Sequence, residues 1–196
     1  MTRLVTGLIA ITLPLAAAAQ VESYTIDPHH TVPYWETNYL NSATMRGRFD
    51  NATGMFTLDR AAKTGTLEIS IQTANLSTGP GRTLKRTRDE HLRTPDFFNA
   101  VEFPTMTYSA TSLTFSGDNP DVIEGSLTLL GVTKPVALKV ERWRCGPDPR
   151  TAGKTYMCGG NATGSFKRSD FGMKFGLPAF IGDEVSLWIS FFGFRQ

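Results

Sequence analysis

The sequence predicts an all-β fold: an antiparallel barrel of roughly eight strands with one short helix. Three observations carry this. Apolar and polar residues alternate along one run after another, turn signals divide the runs, and no strand–helix–strand alternation marks a parallel sheet. An antiparallel sheet with one short helix can close as a barrel or pack as a sandwich. The count of strand candidates favours closure, in a barrel just wide enough for one small apolar guest.

The chain has 196 residues and a formal net charge of +2. Residues 1–19 read as a secretory signal peptide. Arg3 supplies the positive start, Leu4 to Leu15 the apolar stretch, and Ala17-Ala18-Ala19 the cleavage site. That stretch is shorter than the roughly 20 apolar residues of a spanning helix, so no transmembrane span is expected in the mature chain. Residues 20–196 suit one domain, exported to the periplasm or beyond the cell. Near-neutral charge excludes a general attraction to nucleic acid. One local exception is the basic cluster Arg82, Lys85, Arg86, Arg88 and Arg93, but Asp89 and Glu90 sit inside it. A solvated helix face is the plainer reading of that cluster, and phosphate binding the sharper one.

Along the chain, Leu67, Ile69 and Ile71 alternate with Glu68 and Ser70. Met106, Tyr108 and Ala110 alternate with Thr107 and Ser109, and Val136, Leu138 and Val140 with Ala137 and Lys139. Each is the pattern of a half-buried strand. Asp50-Asn51-Ala-Thr-Gly54, Lys63-Thr-Gly65, Ser116-Gly-Asp-Asn-Pro120 and Gly131-Val-Thr-Lys-Pro135 supply turns, so hairpins are expected rather than crossovers. From Val185 to Phe194 both faces carry apolar bulk, which predicts a strand covered on both sides. A helix is expected over about Thr83 to Arg93, with Leu84, Arg88, His91 and Leu92 on one stripe and Thr94-Pro95 ending it. Asp96-Phe97-Phe98 then reads as an aromatic lid.

Cys145 and Cys158 are the two cysteines. In an exported chain an even count reads as a disulfide, here closing a loop with two prolines and two glycines. Zinc is disfavoured, because no further Cys or nearby His completes a tetrahedral set.

Four blocks carry a family resemblance. They are Tyr24-Thr-Ile-Asp-Pro-His-His-Thr31 with Arg46-Gly-Arg-Phe49; His91-Leu-Arg-Thr-Pro-Asp-Phe-Phe-Asn99 running into Glu102-Phe-Pro-Thr-Met-Thr-Tyr108; Gly125-Ser-Leu-Thr-Leu-Leu-Gly-Val-Thr-Lys-Pro-Val136; and Lys167-Arg-Ser-Asp-Phe-Gly-Met173 with Ile181-Gly-Asp-Glu-Val185. In this order they resemble the YceI-like family across nearly all of the mature chain. The resemblance implies a secreted, lipocalin-like barrel that binds polyisoprenoid or other lipids. The chain departs from the family at Tyr39, where a histidine is usual, and at Thr37, where an aliphatic residue is usual.

Catalysis needs a nucleophile with a base, or a metal with an open position. His29, His30 and His91 are the three histidines, and no sequence feature supplies a partner for any of them. His30 is expected to bond across strands and pin the N-terminus. Adjacent His29 and His30 would point to opposite faces of a strand, against a shared metal site with Asp27. Asp170, in the Arg168-Ser-Asp-Phe turn, is expected to satisfy backbone donors.

The aromatic and methionine content carries the functional case. Candidate cavity residues are Trp35, Phe49, Phe97, Phe103, Met106, Tyr108, Phe171, Met173, Phe175 and Phe180. Candidate headgroup residues are His30, Tyr39, Arg86, Arg93 and Arg168. The expected function is to carry a long apolar lipid, an isoprenoid, quinone or fatty-acyl chain. No cofactor is required and no reaction is implied. An enzyme using the same cavity and a structural barrel with a packed interior stand as alternatives. Oligomeric state is left open, a dimer included.

Overall fold

The structure is a computed structural model and describes residues 21–80 and 86–196. The segment read as a signal peptide lies outside the described residues, as do Arg82, Leu84 and Lys85. Among the described residues, eleven strands form one antiparallel sheet: β1 (Glu22–Ile26), β2 (Val32–Tyr39), β3 (Ala43–Phe49), β4 (Thr53–Asp59), β5 (Thr64–Gln72), β6 (Leu76–Ser77), β7 (Thr105–Ser116), β8 (Asn119–Leu129), β9 (Val132–Pro147), β10 (Tyr156–Lys167) and β11 (Ile181–Arg195).

The count of eleven conceals a simpler meander. β1 and β2 are two halves of one span, since both pair with β11: β2 along Ile181–Ser190 and β1 along Gly193–Arg195. β3 and β4 likewise face β2 and β1, while β6 and β5 face β3 and β4. With β7 to β11 this makes an eight-stranded barrel, closed where the first span meets β11. The expected roughly eight strands are therefore present, three of them interrupted.

The first interruption has a clear cause. The Asp27 N–H still donates to the Phe192 carbonyl at 3.0 Å; at Pro28 the chain leaves the ladder, and the Thr31 hydroxyl takes the place of a backbone acceptor for Phe192. It accepts from the Phe192 N–H at 3.1 Å and donates to the Phe192 carbonyl at 3.3 Å. The Asp27 carboxylate accepts from the His29 N–H at 2.9 Å and pairs with the His30 ring at 2.6 Å. His30 thus bonds within its own turn, not across strands as expected. Its ring does reach β11, edge-on to Phe192.

Period-two alternation sets what faces inward. Ile71, Met106, Tyr108, Val136, Leu138 and Val140 all join the central apolar cluster. A second cluster closes the end of the barrel that holds Glu22 and Arg195. There Tyr24 stacks on Phe56 with ring centroids 4.6 Å apart, beside Ile26, Leu58 and Cys158. Cys145 and Cys158 are register partners on β9 and β10, with Cα atoms 4.0 Å apart, and are joined by a disulfide.

Two expectations are corrected. Helix α1 spans only Arg88–Leu92, because Thr87 caps it: its hydroxyl accepts from the Glu90 N–H and the Glu90 carboxylate accepts from the Thr87 N–H. The outer face of β11 is also less covered than its apolar character suggested. Phe194 lies under the Arg150 guanidinium, but Trp188 is 55% exposed opposite Tyr34. Among the described residues, no helix is long and apolar enough to cross a membrane.

Candidate functional site

The barrel is hollow. A cavity of about 610 Å³ runs between the Tyr24–Phe56 cluster at one end and the loops around α1 at the other. Its walls are the inward rows of the sheet: Leu67, Ile69 and Ile71 from β5, Val136 and Leu138 from β9, and Val185, Leu187, Ile189 and Phe191 from β11. Shape here is set by where side chains are missing as much as by where they stand. A β-carbon on Gly47 would lie 2.3 Å from the Trp35 ring, so glycine lets the indole lie flat along the wall. Gly125 does the same for Tyr108, whose hydroxyl donates to the Val136 carbonyl at 2.8 Å and the Ile123 carbonyl at 3.2 Å. Burial, with Glu124 adding to it, pushes the Tyr108 phenol well above its ordinary pKa. It is a neutral donor at any physiological pH.

Three rings close the loop end. His91 on α1, Phe97 in the following turn and Phe175 in the β10–β11 loop meet with centroids 5.0, 5.1 and 5.3 Å apart. Asp96 fixes the His91 ring through Nε2 at 2.8 Å. Phe97 is buried, whereas Phe98 is half-buried and edge-on to Phe49. Tyr39, Phe175 and Phe180 line the cavity and are also exposed at the surface, which puts the mouth between the β2–β3 turn and the β10–β11 loop.

Arg168 is the strut of that loop. It is 2% exposed, and its guanidinium donates to the carbonyls of Gly182, Met173, Phe175 and Ile181 at 2.8–3.0 Å. Burial pulls its pKa down, and Asp183 opposes that. The Asp183 carboxylate accepts from both the N–H and the hydroxyl of Ser169, the part expected of Asp170. Burial pushes the Asp183 carboxyl up, but those bonds from Ser169 and the nearby Arg168 charge outweigh it and hold it below its ordinary value.

Of the ten candidate cavity residues, the structure brings eight to the lining: Trp35, Phe49, Phe97, Met106, Tyr108, Met173, Phe175 and Phe180. Phe171 is buried outside the cavity, edge-on to Phe166. Phe103 sits over Gly131 at the β8–β9 turn, because β7 begins only at Thr105 and the Phe103 carbonyl is held by the Thr73 hydroxyl. Among the headgroup candidates, Tyr39 and Arg168 reach the lining and His30, Arg86 and Arg93 do not. Arg93 donates to the carbonyls of Ala74 and Leu76, and Arg86 faces Asp96 at 3.5 Å. Arg168 reaches the cavity but spends its donors on the loop.

Arg88 and His91 do line the cavity and were not among the candidates. The signal was present, since the stripe Arg88, His91, Leu92 had to face the sheet, and the inside of the sheet is the cavity. Trp143 also lines it, from β9. The buried indole nitrogens of Trp35 and Trp143 have no acceptor among the described residues.

Comparison with known proteins agrees with this geometry. The YceI-like domain model matches residues 24–192. A UPF0312 protein of Shewanella sp. is 33% identical over 189 residues, covering 94% of this chain and 95% of that one. A UPF0312 protein of Pseudomonas aeruginosa is 35% identical over 185 residues, covering 92% and 91%. Among solved structures, BcnA of Burkholderia cenocepacia superposes with a TM-score of 0.66 at 19% identity, covering 85% of this chain and 98% of that one. A polyisoprenoid binding domain from Saccharophagus degradans gives 0.62 at 16% identity, covering 88% and 98%. These two show the same fold. The family match spans the barrel from β1 into β11, and the chain belongs to the YceI-like family.

Proposed function

We propose that this protein is an exported carrier that holds one long apolar chain, an isoprenoid, quinone or fatty-acyl group, inside its barrel. The observation that carries the reading is the hollow interior, about 610 Å³ walled almost wholly by aliphatic and aromatic side chains. Such a wall stabilises a guest by removing its apolar surface from water, at roughly 25 cal/mol per Å². Polar groups are confined mainly to the mouth, where Tyr39, Arg88 and His91 would meet the more polar end of the guest. Family membership supports a lipid-binding role, and the polyisoprenoid-binding neighbour shares the fold. Export is supported by the character of residues 1–19 and by the Cys145–Cys158 bridge, which suits an oxidising compartment. A packed structural barrel is disfavoured by the cavity itself.

Tryptophan emission tests the reading. Trp35 and Trp143 line the cavity while Trp188 faces solvent, so Trp188→Phe leaves emission from the wall alone. Titration with a short-chain quinone should quench that emission saturably at one equivalent. Linear, unsaturable quenching would overturn the carrier reading.

A further inference from the structure

The mouth of the cavity is bordered by apolar side chains that the fold leaves in water. Leu40, at the tip of the β2–β3 turn, is 49% exposed, and Phe180 in the β10–β11 loop is 59% exposed. Tyr39 and Phe175 are exposed beside them, and Pro178 and Ala179 continue the surface. The two loops form one rim: the Leu40 N–H donates to the Phe180 carbonyl at 2.8 Å, and Tyr39 is the register partner of Ile181. Arg168 holds the second loop rigid from beneath. A rigid apolar rim in water is costly unless something covers it.

The charge of the rim is one-sided. From Thr37 to Arg46 and from Phe171 to Gly182 there is no acidic residue, and the second stretch carries Lys174, exposed and outside any ion pair among the described residues. Aromatic rings with a nearby lysine, and with the neighbouring Asp96 carboxylate held by His91 at 2.8 Å, fit the interface of a bilayer. Such rings sit at the headgroup level, and a cation gains from anionic lipid. The position of the rim completes the case. It surrounds the opening through which an apolar chain would enter, and such a chain has its reservoir in a membrane, not in water.

We propose that Tyr39, Leu40, Phe175, Ala179 and Phe180 form a docking surface for a lipid bilayer, seating the cavity mouth against the headgroups so that the guest passes between membrane and barrel without crossing water. The proposal rests on the carrier reading. It assigns the partner, and it accounts for the four exposed apolar side chains Tyr39, Leu40, Phe175 and Phe180 that border the mouth. Trp188 and Tyr34 form a separate exposed pair on the barrel wall and serve as an internal control.

The test is flotation of the full mature protein with vesicles of phosphatidylethanolamine containing a minority of phosphatidylglycerol, beside uptake of a water-soluble short-chain quinone. Leu40→Asn suits the left-handed backbone at that position (φ 55°) and leaves the cavity lining untouched. It should weaken vesicle binding roughly tenfold, as should Ala179→Asp. Lys174→Glu should weaken it about fivefold, and only when phosphatidylglycerol is present. Trp188→Ser should bind vesicles as the wild type does, and all four variants should take up the soluble quinone normally. Docking is overturned if the wild type stays in the aqueous fraction, if Leu40→Asn and Ala179→Asp float unchanged, or if only Trp188→Ser is lost. It is equally overturned if the protein is a dimer that Leu40→Asn splits without any vesicle binding. Vesicle binding without quinone uptake in any form would instead defeat the carrier reading and leave the rim in place.

Discussion

Tyr108 crosses Gly125 to reach the strand beyond it. The ring rises from β7, covers the bare glycine of β8, and delivers its hydroxyl to the Val136 carbonyl of β9 at 2.8 Å. One side chain thereby ties three strands on the inner wall. The geometry needs both partners, because a β-carbon on Gly125 would fall 2.3 Å from the phenol.

Gly125→Ala should therefore destabilise the barrel by about 1–3 kcal/mol, as overpacking of a formed core does. Tyr108→Phe should cost about 1 kcal/mol through the lost hydrogen bond. Because the two changes strike one contact, their effects in the double variant should fall short of their sum. Urea denaturation of the four proteins gives the answer, and strict additivity would show that ring and glycine act independently.

Removing the Arg168 guanidinium should unfasten the mouth. Arg168→Met leaves four carbonyls without their donor, at about 2–4 kcal/mol in total. Lysine should rescue little, since a point charge cannot span four acceptors fixed around a planar fork. Hydrogen exchange should accelerate at the amides of Met173 and Ile181, and not at those of β7 or β8. Uniform acceleration would mean global destabilisation rather than a local strut.

Acid stability should depend on Asp27. Burial pushes its carboxyl up, but the His29 N–H and the His30 ring outweigh that and leave the folded-state pKa below the ordinary value. A depressed folded pKa contributes stability that is complete above the unfolded carboxylate value of about 3.9 and is lost as pH falls through the folded one. Asp27→Asn should thus lower the melting temperature near neutrality, with the gap to the wild type closing only below about pH 4. A gap that stays constant down to strongly acid pH would contradict the role given to this carboxylate.

The Cys145–Cys158 bridge spans a sequence separation of 13. A loop of that size stabilises by about 3 kcal/mol in the chain-entropy picture. Unfolded, unreduced protein should show no free thiol, and Cys145→Ala with Cys158→Ala should lower the melting temperature without abolishing the fold. Two reactive thiols in the unreduced protein would remove the bridge from the description.

Much of this was legible in the residues, for identifiable reasons. Inward rows such as Leu67, Ile69, Ile71 and Met106, Tyr108, Ala110 follow from period two, which depends on backbone geometry alone. Strand interruptions at Asp27 and Thr73 were less legible, and Asp50-Asn51-Ala-Thr-Gly54, read as a hairpin turn, is a third interruption, because each rests on a partner distant in sequence: Phe192 for Thr31, the Asn75 carbonyl for Asp50, and the Pro104 and Phe103 carbonyls for Thr73. The same limit explains Arg168. Its residue type suggests a headgroup ligand, and only the arrangement of the β10–β11 loop reveals four carbonyls waiting for it. Phe103 and Phe171 show that aromatic content predicts a lined cavity collectively but does not say which ring turns inward.

A native mass spectrum of the protein, purified from its own cells without detergent, tests most directly whether the barrel holds a guest. The predicted result is one additional apolar molecule per chain, released by organic solvent and then replaceable by a single equivalent of an isoprenoid, quinone or fatty-acyl probe, with Val136→Phe reducing that uptake by narrowing the cavity. A spectrum showing the bare chain alone, together with no saturable uptake of any of the three probes, would contradict it.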